Sequence, residues 1–151
     1  MRNQQGFSLI EVMVVAGILV VAILGLIQIF ISSSMLFESA GNMTMALINA
    51  QSKLEEMRNE SFSQITTNYG SGGTPGNTFD MSPGTGKGVI YIDSSNSNLF
   101  AVTIAVSWRN QNGRIVGEDA DLDGILDAGE DTNNDGQLSS PVTLTSLIAR
   151  R

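Results

Sequence analysis

The sequence predicts an α+β protein in which one long N-terminal helix lies across a small antiparallel β-sheet. Three observations predict it. The chain opens with an uninterrupted apolar run, and an apolar stripe at helical spacing follows directly. The second half then carries short runs of alternating apolar and polar residues bounded by turn residues.

Residues 7–31 read FSLIEVMVVAGILVVAILGLIQIFI, and their strongly polar members are Ser8, Glu11 and Gln28. A helix of this length rises roughly 37 Å, enough to cross a hydrocarbon core of about 30 Å. No Pro interrupts it, and Gly17 and Gly25 are tolerated in a membrane helix. A buried helix in a soluble core is the alternative, but residues 89–151 offer too little chain to enclose a helix that is apolar on every side. A secretory signal would have a shorter apolar stretch and small residues at a cleavage site after it. Ile31-Ser32-Ser33-Ser34 is a poor candidate for one. Arg2 precedes the run and the next base is Lys53, so the N-terminus is expected on the cytoplasmic side and the remainder exported.

Glu11 is the residue in this run that needs a reason. A carboxylate among apolar side chains costs a few kcal/mol on insertion and usually marks function or a partner. No Lys, Arg or His lies between Phe7 and Gln51. One candidate cation is an α-amino group, if the chain were cut after Gly6 so that Phe7 became its first residue. The other reading is a protonated or hydrated Glu11 near the cytoplasmic interface.

The segment Gly6-Phe7-Ser8-Leu9-Ile10-Glu11-Val12-Met13 closely resembles the processing site of the type IV pilin and type II secretion pseudopilin family. A short polar leader ends in Gly, an aromatic residue follows, and Glu stands fifth after the junction inside a long apolar helix. The leader carries a single base, Arg2, where such leaders often have several. The resemblance implies that residues 1–6 are a leader removed by a prepilin peptidase and that the new Phe7 amine is N-methylated. It also implies that Glu11 pairs with the Phe7 amine of a neighbouring subunit as helices pack into a filament core. The implied partners are other pilins or pseudopilins, the peptidase and methyltransferase, an inner-membrane assembly platform, and lipid before assembly. The implied location is the bacterial inner membrane, as a single-pass protein, and then a periplasmic or extracellular filament.

Beyond Ile31, Leu36, Ala40, Met43, Leu47, Ala50, Leu54 and Met57 recur at alternating spacings of four and three, with polar residues between them. Residues 32–65 therefore continue the helix as an amphipathic half, the helix ending near Phe62. The spacing would also suit a coiled coil. It spans few turns and lacks systematic flanking charges, which favours packing on the protein's own sheet. Residues 66–88 are rich in Gly, Thr, Asn, Ser and Pro and read as a loop. Gly84-Thr85-Gly86-Lys87-Gly88 fails as a phosphate-binding loop, since Met81 stands where the first Gly belongs and Gly88 where Ser or Thr must follow the Lys.

Residues 89–151 are expected to form the sheet. Val89–Ile92 is one strand, and Leu99–Trp108 is a second with Phe100, Val102, Ile104, Val106 and Trp108 on one face. Asn112-Gly113 turns the chain and Arg114-Ile115-Val116 returns antiparallel. Val142–Ile148 makes the last strand. The large-residue face should cover the helical stripe from Leu36 to Met57, and SKLEEMRNESF and FAVTIAVSW look like stretches of small minor pilins and pseudopilins.

The net charge of −7 is local. Residues 118–135 hold eight acids and no base, whereas seven acids face eight bases in the rest of the chain. Asp119, Asp121, Asp123, Gly124, Ile125, Asp127 and Glu130 fit the twelve-residue calcium pattern D-x-[DN]-x-[DN]-G-x5-E position for position. Alternate carboxylates converge on a hard cation, Gly124 permits the sharp turn, the Ile125 carbonyl ligates and Glu130 closes the site. Asp131, Asn133, Asp135 and Gly136 repeat half the pattern, with Val142 in place of a closing Glu. This second loop, within an acidic connection spanning 118–139, is expected to share ligands with the first or bind weakly. A solvated acidic loop without an ion is the alternative, but eight crowded carboxylates favour disorder unless a cation neutralises them.

Composition removes many functions. With no Cys and no His there is no thiol nucleophile, no disulfide, no Ser-His-Asp relay and no ordinary zinc or haem site. The charge argues against nucleic-acid binding by this chain alone. The expected function is therefore non-enzymatic, and the N-terminal resemblance implies a minor pilin or pseudopilin of a type IV pilus or type II secretion filament, with calcium as the ion its acidic loop would take. The alternative is a permanently membrane-anchored calcium-dependent adhesin or binding module, which would retain residues 1–6.

Overall fold

A computed structural model describes residues 8–150. Gly6 and Phe7, the two sides of the expected cleavage, lie outside the described residues. The chain divides into two compact units, Met1–Glu38 and Ser39–Arg151. One helix, α1 (Leu9–Asn59), contributes to each.

In the first unit α1 is apolar and exposed all round: every residue from Leu9 to Ile31 is solvent-accessible, and Leu9, Val21 and Phe30 are each more than 70 % exposed. Its most apolar stretch is long enough to cross a membrane.

The second unit contains the rest of α1, a short helix α2 (Phe62–Tyr69) and five strands: β1 (Thr78–Asp80), β2 (Gly86–Asn96), β3 (Leu99–Arg109), β4 (Ile115–Val116) and β5 (Thr143–Ala149). All pairings are antiparallel. The order is β1-β2-β3-β4, with β5 also paired to β3. β3 is thus central. β2 lines one side of it, while β5 pairs with Leu99–Ala105 and β4 with Trp108 and Arg109 on the other. The α+β architecture read from the sequence is the one observed.

The core forms where the expected faces meet. Phe100, Val102, Ile104, Val106 and Trp108 are all buried, packed with Ala46, Ala50, Leu54 and Met57 of α1. Each large side chain fully buried contributes about 1.5–3 kcal/mol. The stripe is shorter than expected and shifted. Ala50, Leu54 and Met57 are buried, but Leu36 is 71 %, Met43 47 % and Leu47 40 % exposed, Ala40 is exposed, and Ala46 takes the place of Leu47. A strict 3-4 repeat drifts by about 20° per heptad against the 3.6-residue period, so within the second unit the residue on the sheet side changes from one heptad to the next.

The helix ends at Asn59 rather than near Phe62. The Glu60 amide donates to the Met57 carbonyl (3.2 Å) in a tightened last turn, and Ser61 is extended at φ −67°, ψ 135°. The chain restarts as α2, whose Ile65 and Tyr69 are buried and whose Phe62 stacks on Phe100 at 4.1 Å between ring centroids. Residues 66–88 are accordingly not one loop. They hold the end of α2, the whole of β1 and the start of β2. Phe79 of β1 lies over Gly88 of β2, where any Cβ would meet its ring. Lys87 forms an ion pair with Asp80 (2.7 Å).

Between Val116 and Thr143 the chain makes no helix or strand. This connection is the acidic segment.

Candidate metal centre and N-terminal processing segment

The acidic connection folds as two copies of one turn, twelve residues apart. In the first, the Asp123 amide donates to Asp119 Oδ1 and Asp121 Oδ1 (both 3.2 Å), the Gly124 amide to Asp119 Oδ2 (3.0 Å) and the Ile125 amide to Asp123 Oδ1 (2.7 Å). In the second, the Asp135 amide donates to Asp131 Oδ1 and Asn133 Oδ1 (both 3.0 Å), the Gly136 amide to Asp131 Oδ2 (2.9 Å) and the Gln137 amide to Asp135 Oδ1 (2.8 Å). The backbone repeats as well. Leu122 and Asn134 take φ of 64° and 57°, and Gly124 and Gly136 take 80° and 75°, the left-handed region in which Gly carries no Cβ penalty. Gly124 is also tight against β1, since a Cβ there would lie 2.7 Å from Thr78 Cγ2.

The two glutamates are exchanged between the turns. Glu130 reaches back to the first, accepting from the Ala120 amide (2.7 Å) and the Asp127 amide (3.0 Å). Glu118 reaches forward to the second and accepts from the Thr132 amide (3.1 Å), the Thr132 hydroxyl and the Ser139 amide (2.7 Å). Thr132 and Ser139 stand twelve residues after Ala120 and Asp127, so the same two amide positions are held in each copy. The second turn therefore has a closing glutamate, and it precedes the first turn. A window that starts at Asp131 cannot find it, but the twelve-residue offset between Glu118 and Glu130 was a readable signal.

Carboxylate oxygens of Asp119, Asp121 and Asp123 lie within 4.8 Å of one another, a group able to hold a metal ion. Asp119 is fully buried, while Asp121 and Asp123 are exposed. Burial pushes the Asp119 carboxyl up from its ordinary value against the opposing donation from the Gly124, Leu122 and Asp123 amides. A buried carboxylate in that position is relieved by a cation. Glu118 is held down, first by the Thr132 hydroxyl and then by the backbone amides it accepts from. Glu130 is buried, and Asp127, Asp131, Asn133 and Asp135 lie at or near the surface. The loops are tied to the sheet by the Leu138 amide, which donates to the Tyr91 hydroxyl (2.7 Å), and by burial of Leu138 and Val142.

At the other end of the chain, Glu11 lies in the first turn of α1, where a carboxylate suits the positive end of the helix dipole. Residues 1–27 match the family model described as the prokaryotic N-terminal methylation motif. The chain carries a prepilin signature. That signature covers Gly6, Phe7 and Glu11 and coincides with the start of the exposed apolar helix. It supports a processed, pilin-like or pseudopilin-like structural subunit anchored by a single apolar helix. Beyond this motif, no curated protein and no solved structure matches the chain.

Proposed function

We propose that this protein is a minor pilin or pseudopilin, a structural subunit of a type IV pilus or type II secretion filament. The observation that carries the reading is the prepilin signature set at the head of an apolar helix with exposed side chains. A prepilin peptidase cuts between Gly6 and Phe7, and the new Phe7 amine is methylated. Before assembly the chain sits in the inner membrane with its N-terminus cytoplasmic and its second unit exported. Glu11 of one subunit then meets the Phe7 amine of the next, which offsets the cost of a carboxylate in an apolar setting and fixes the axial register of the helices. The filament's other subunits and an inner-membrane platform are its partners.

Calcium orders the exported face in this reading. Asp119, Asp121, Asp123, Asp127, Glu130 and the Ile125 carbonyl supply an all-oxygen set suited to a hard cation. Asp131, Asn133 and Asp135 with Glu118 supply a second. The convergent triad, the buried Asp119 and the positive φ of Gly124 support it. With no disulfide possible, the ion staples the longest irregular connection in the sheet unit.

The test is incorporation of Glu11→Ala into filaments in the native host. The variant should insert into the membrane as well as the parent and fail to enter filaments. Normal incorporation of the variant would remove the pairing, and absence of the unaltered protein from filaments would remove the assembly reading.

A further inference from the structure

The sheet has two edges, and they differ. β1 is three residues long and ends in Asp80, which is ion-paired with Lys87, and past Val89 the edge passes to β2 itself, which carries Asp93 and a register irregularity there. β5 is the seven-residue strand TLTSLIA, with no charge, Pro or Gly and an unbroken register against β3. At the ends of that ladder the Val106 amide donates to the Val142 carbonyl (3.1 Å) and the Arg150 amide to the Asn98 carbonyl (2.9 Å). By antiparallel alternation, the even-numbered residues of β5 then bond to β3. The backbone groups of Thr143, Thr145, Leu147 and Ala149 point outward, where no strand among the described residues pairs with them. Sheet edges are ordinarily guarded by charge, Pro, a bulge or shortness. β5 has none of these, and its Leu147 is 62 % exposed.

Two grooves lie along the inner side of this edge. One, of about 600 Å³, is bordered by Ile148, Phe62 and Ile65, and the other, of about 430 Å³, by Leu144 and Leu54. Arg58 lines both. Its guanidinium donates to Glu55 (2.6 Å) and to Ser146 Oγ (2.9 Å), which leaves further N–H groups unspent, and its side chain is 42 % exposed.

We infer that the outer edge of β5 is a strand-addition site for an extended segment of another polypeptide, patterned apolar–x–acidic–x–apolar. Strand addition satisfies the outward backbone groups and sends alternate side chains to each face. The two apolar residues lie opposite Leu144 and Ile148, one over each groove, and the acidic residue between them lies opposite Ser146 and meets Arg58. A second copy of β5 does not suit the edge. Its middle residue is Ser146, and it would bring a second Arg58 against the first.

The test uses the full-length protein in detergent and the synthetic peptide Thr-Val-Thr-Glu-Thr-Val-Thr beside its Lys-centred counterpart. The Glu peptide should slow amide exchange at Thr145 and Leu147 while leaving Leu144 and Ser146, already bonded to β3, unchanged. The Lys peptide should need a several-fold higher concentration for the same effect. Leu147→Pro, which removes an outward amide that the ladder does not use, should abolish binding. Arg58→Gln should make the two peptides equivalent, and it carries the test should the proline variant not fold. No protection by either peptide, or equal binding of both to the unaltered protein, would overturn the inference. Protection of Thr145 and Leu147 in concentrated protein without peptide would overturn it too, by making a second copy the occupant.

Discussion

Replacing Glu130 by Gln isolates what the exchanged glutamates do. The carboxylate is buried and each of its oxygens takes one backbone amide, from Ala120 at 2.7 Å and Asp127 at 3.0 Å. Gln keeps one acceptor and turns the other into a donor, so one partly buried amide is left facing an NH2 group. A fully buried donor without a partner costs about 1–3 kcal/mol, and one that water still reaches falls at the lower end, about 1 kcal/mol. For a unit of this size roughly 4 °C of melting temperature follows each kcal/mol, so the central expectation is a fall of about 4 °C. The assay is thermal unfolding of a fragment beginning at Ser39, in chelator, followed by amide exchange. Glu130→Gln should speed exchange at Ala120 and Asp127 and leave Thr132 and Ser139 nearly unchanged. Glu118→Gln should do the reverse. Equal loosening of all four amides by either variant would refute the exchange of glutamates between turns, and an unchanged melting temperature for Glu130→Gln would refute the magnitude.

Further expectations follow from the same geometry. Removing calcium with a chelator should lower the melting temperature of this fragment, and Asp121→Ala should reproduce most of that loss and be insensitive to chelator, as checked by calorimetry. The Asp119 carboxyl, pushed up by burial, favours its protonated form in the folded state. Its contribution to stability is therefore full below the ordinary carboxylate value of 3.8 and is lost as pH rises through the raised value. The proposed calcium ion requires the ionised form, so any stabilisation by added calcium should grow over the same pH rise, and a pH-independent increment would contradict the assignment. In the core, Val102→Ala should cost about 1–3 kcal/mol by transfer and cavity terms, read by denaturant titration, because Val102 is fully buried between α1 and the sheet.

Much of the architecture was legible because its signals are long. The unbroken apolar run needed no context, and the alternation of Phe100, Val102, Ile104, Val106 and Trp108 names the face that is buried. What escaped was set by tertiary packing. Phe62, Ile65 and Tyr69 lie at helical spacing, but Thr66, Thr67 and Asn68 beside them read as loop residues, and the burial that stabilises α2 is supplied by Phe100 and the rest of the core. β1 is too short to signal itself, and its place depends on the Phe79–Gly88 fit. In the acidic segment the pattern named the converging Asp119, Asp121 and Asp123. It missed Glu118, because a twelve-residue motif read from its first Asp ignores the residue before it.

The intact mass of the protein extracted from its own host's membranes tests the filament-subunit reading most directly. A processed filament subunit would appear as a species that begins at Phe7 and is heavier by one methyl group. A full-length species still carrying residues 1–6 would contradict it and make the protein a permanent membrane anchor for its acidic, calcium-patterned loops.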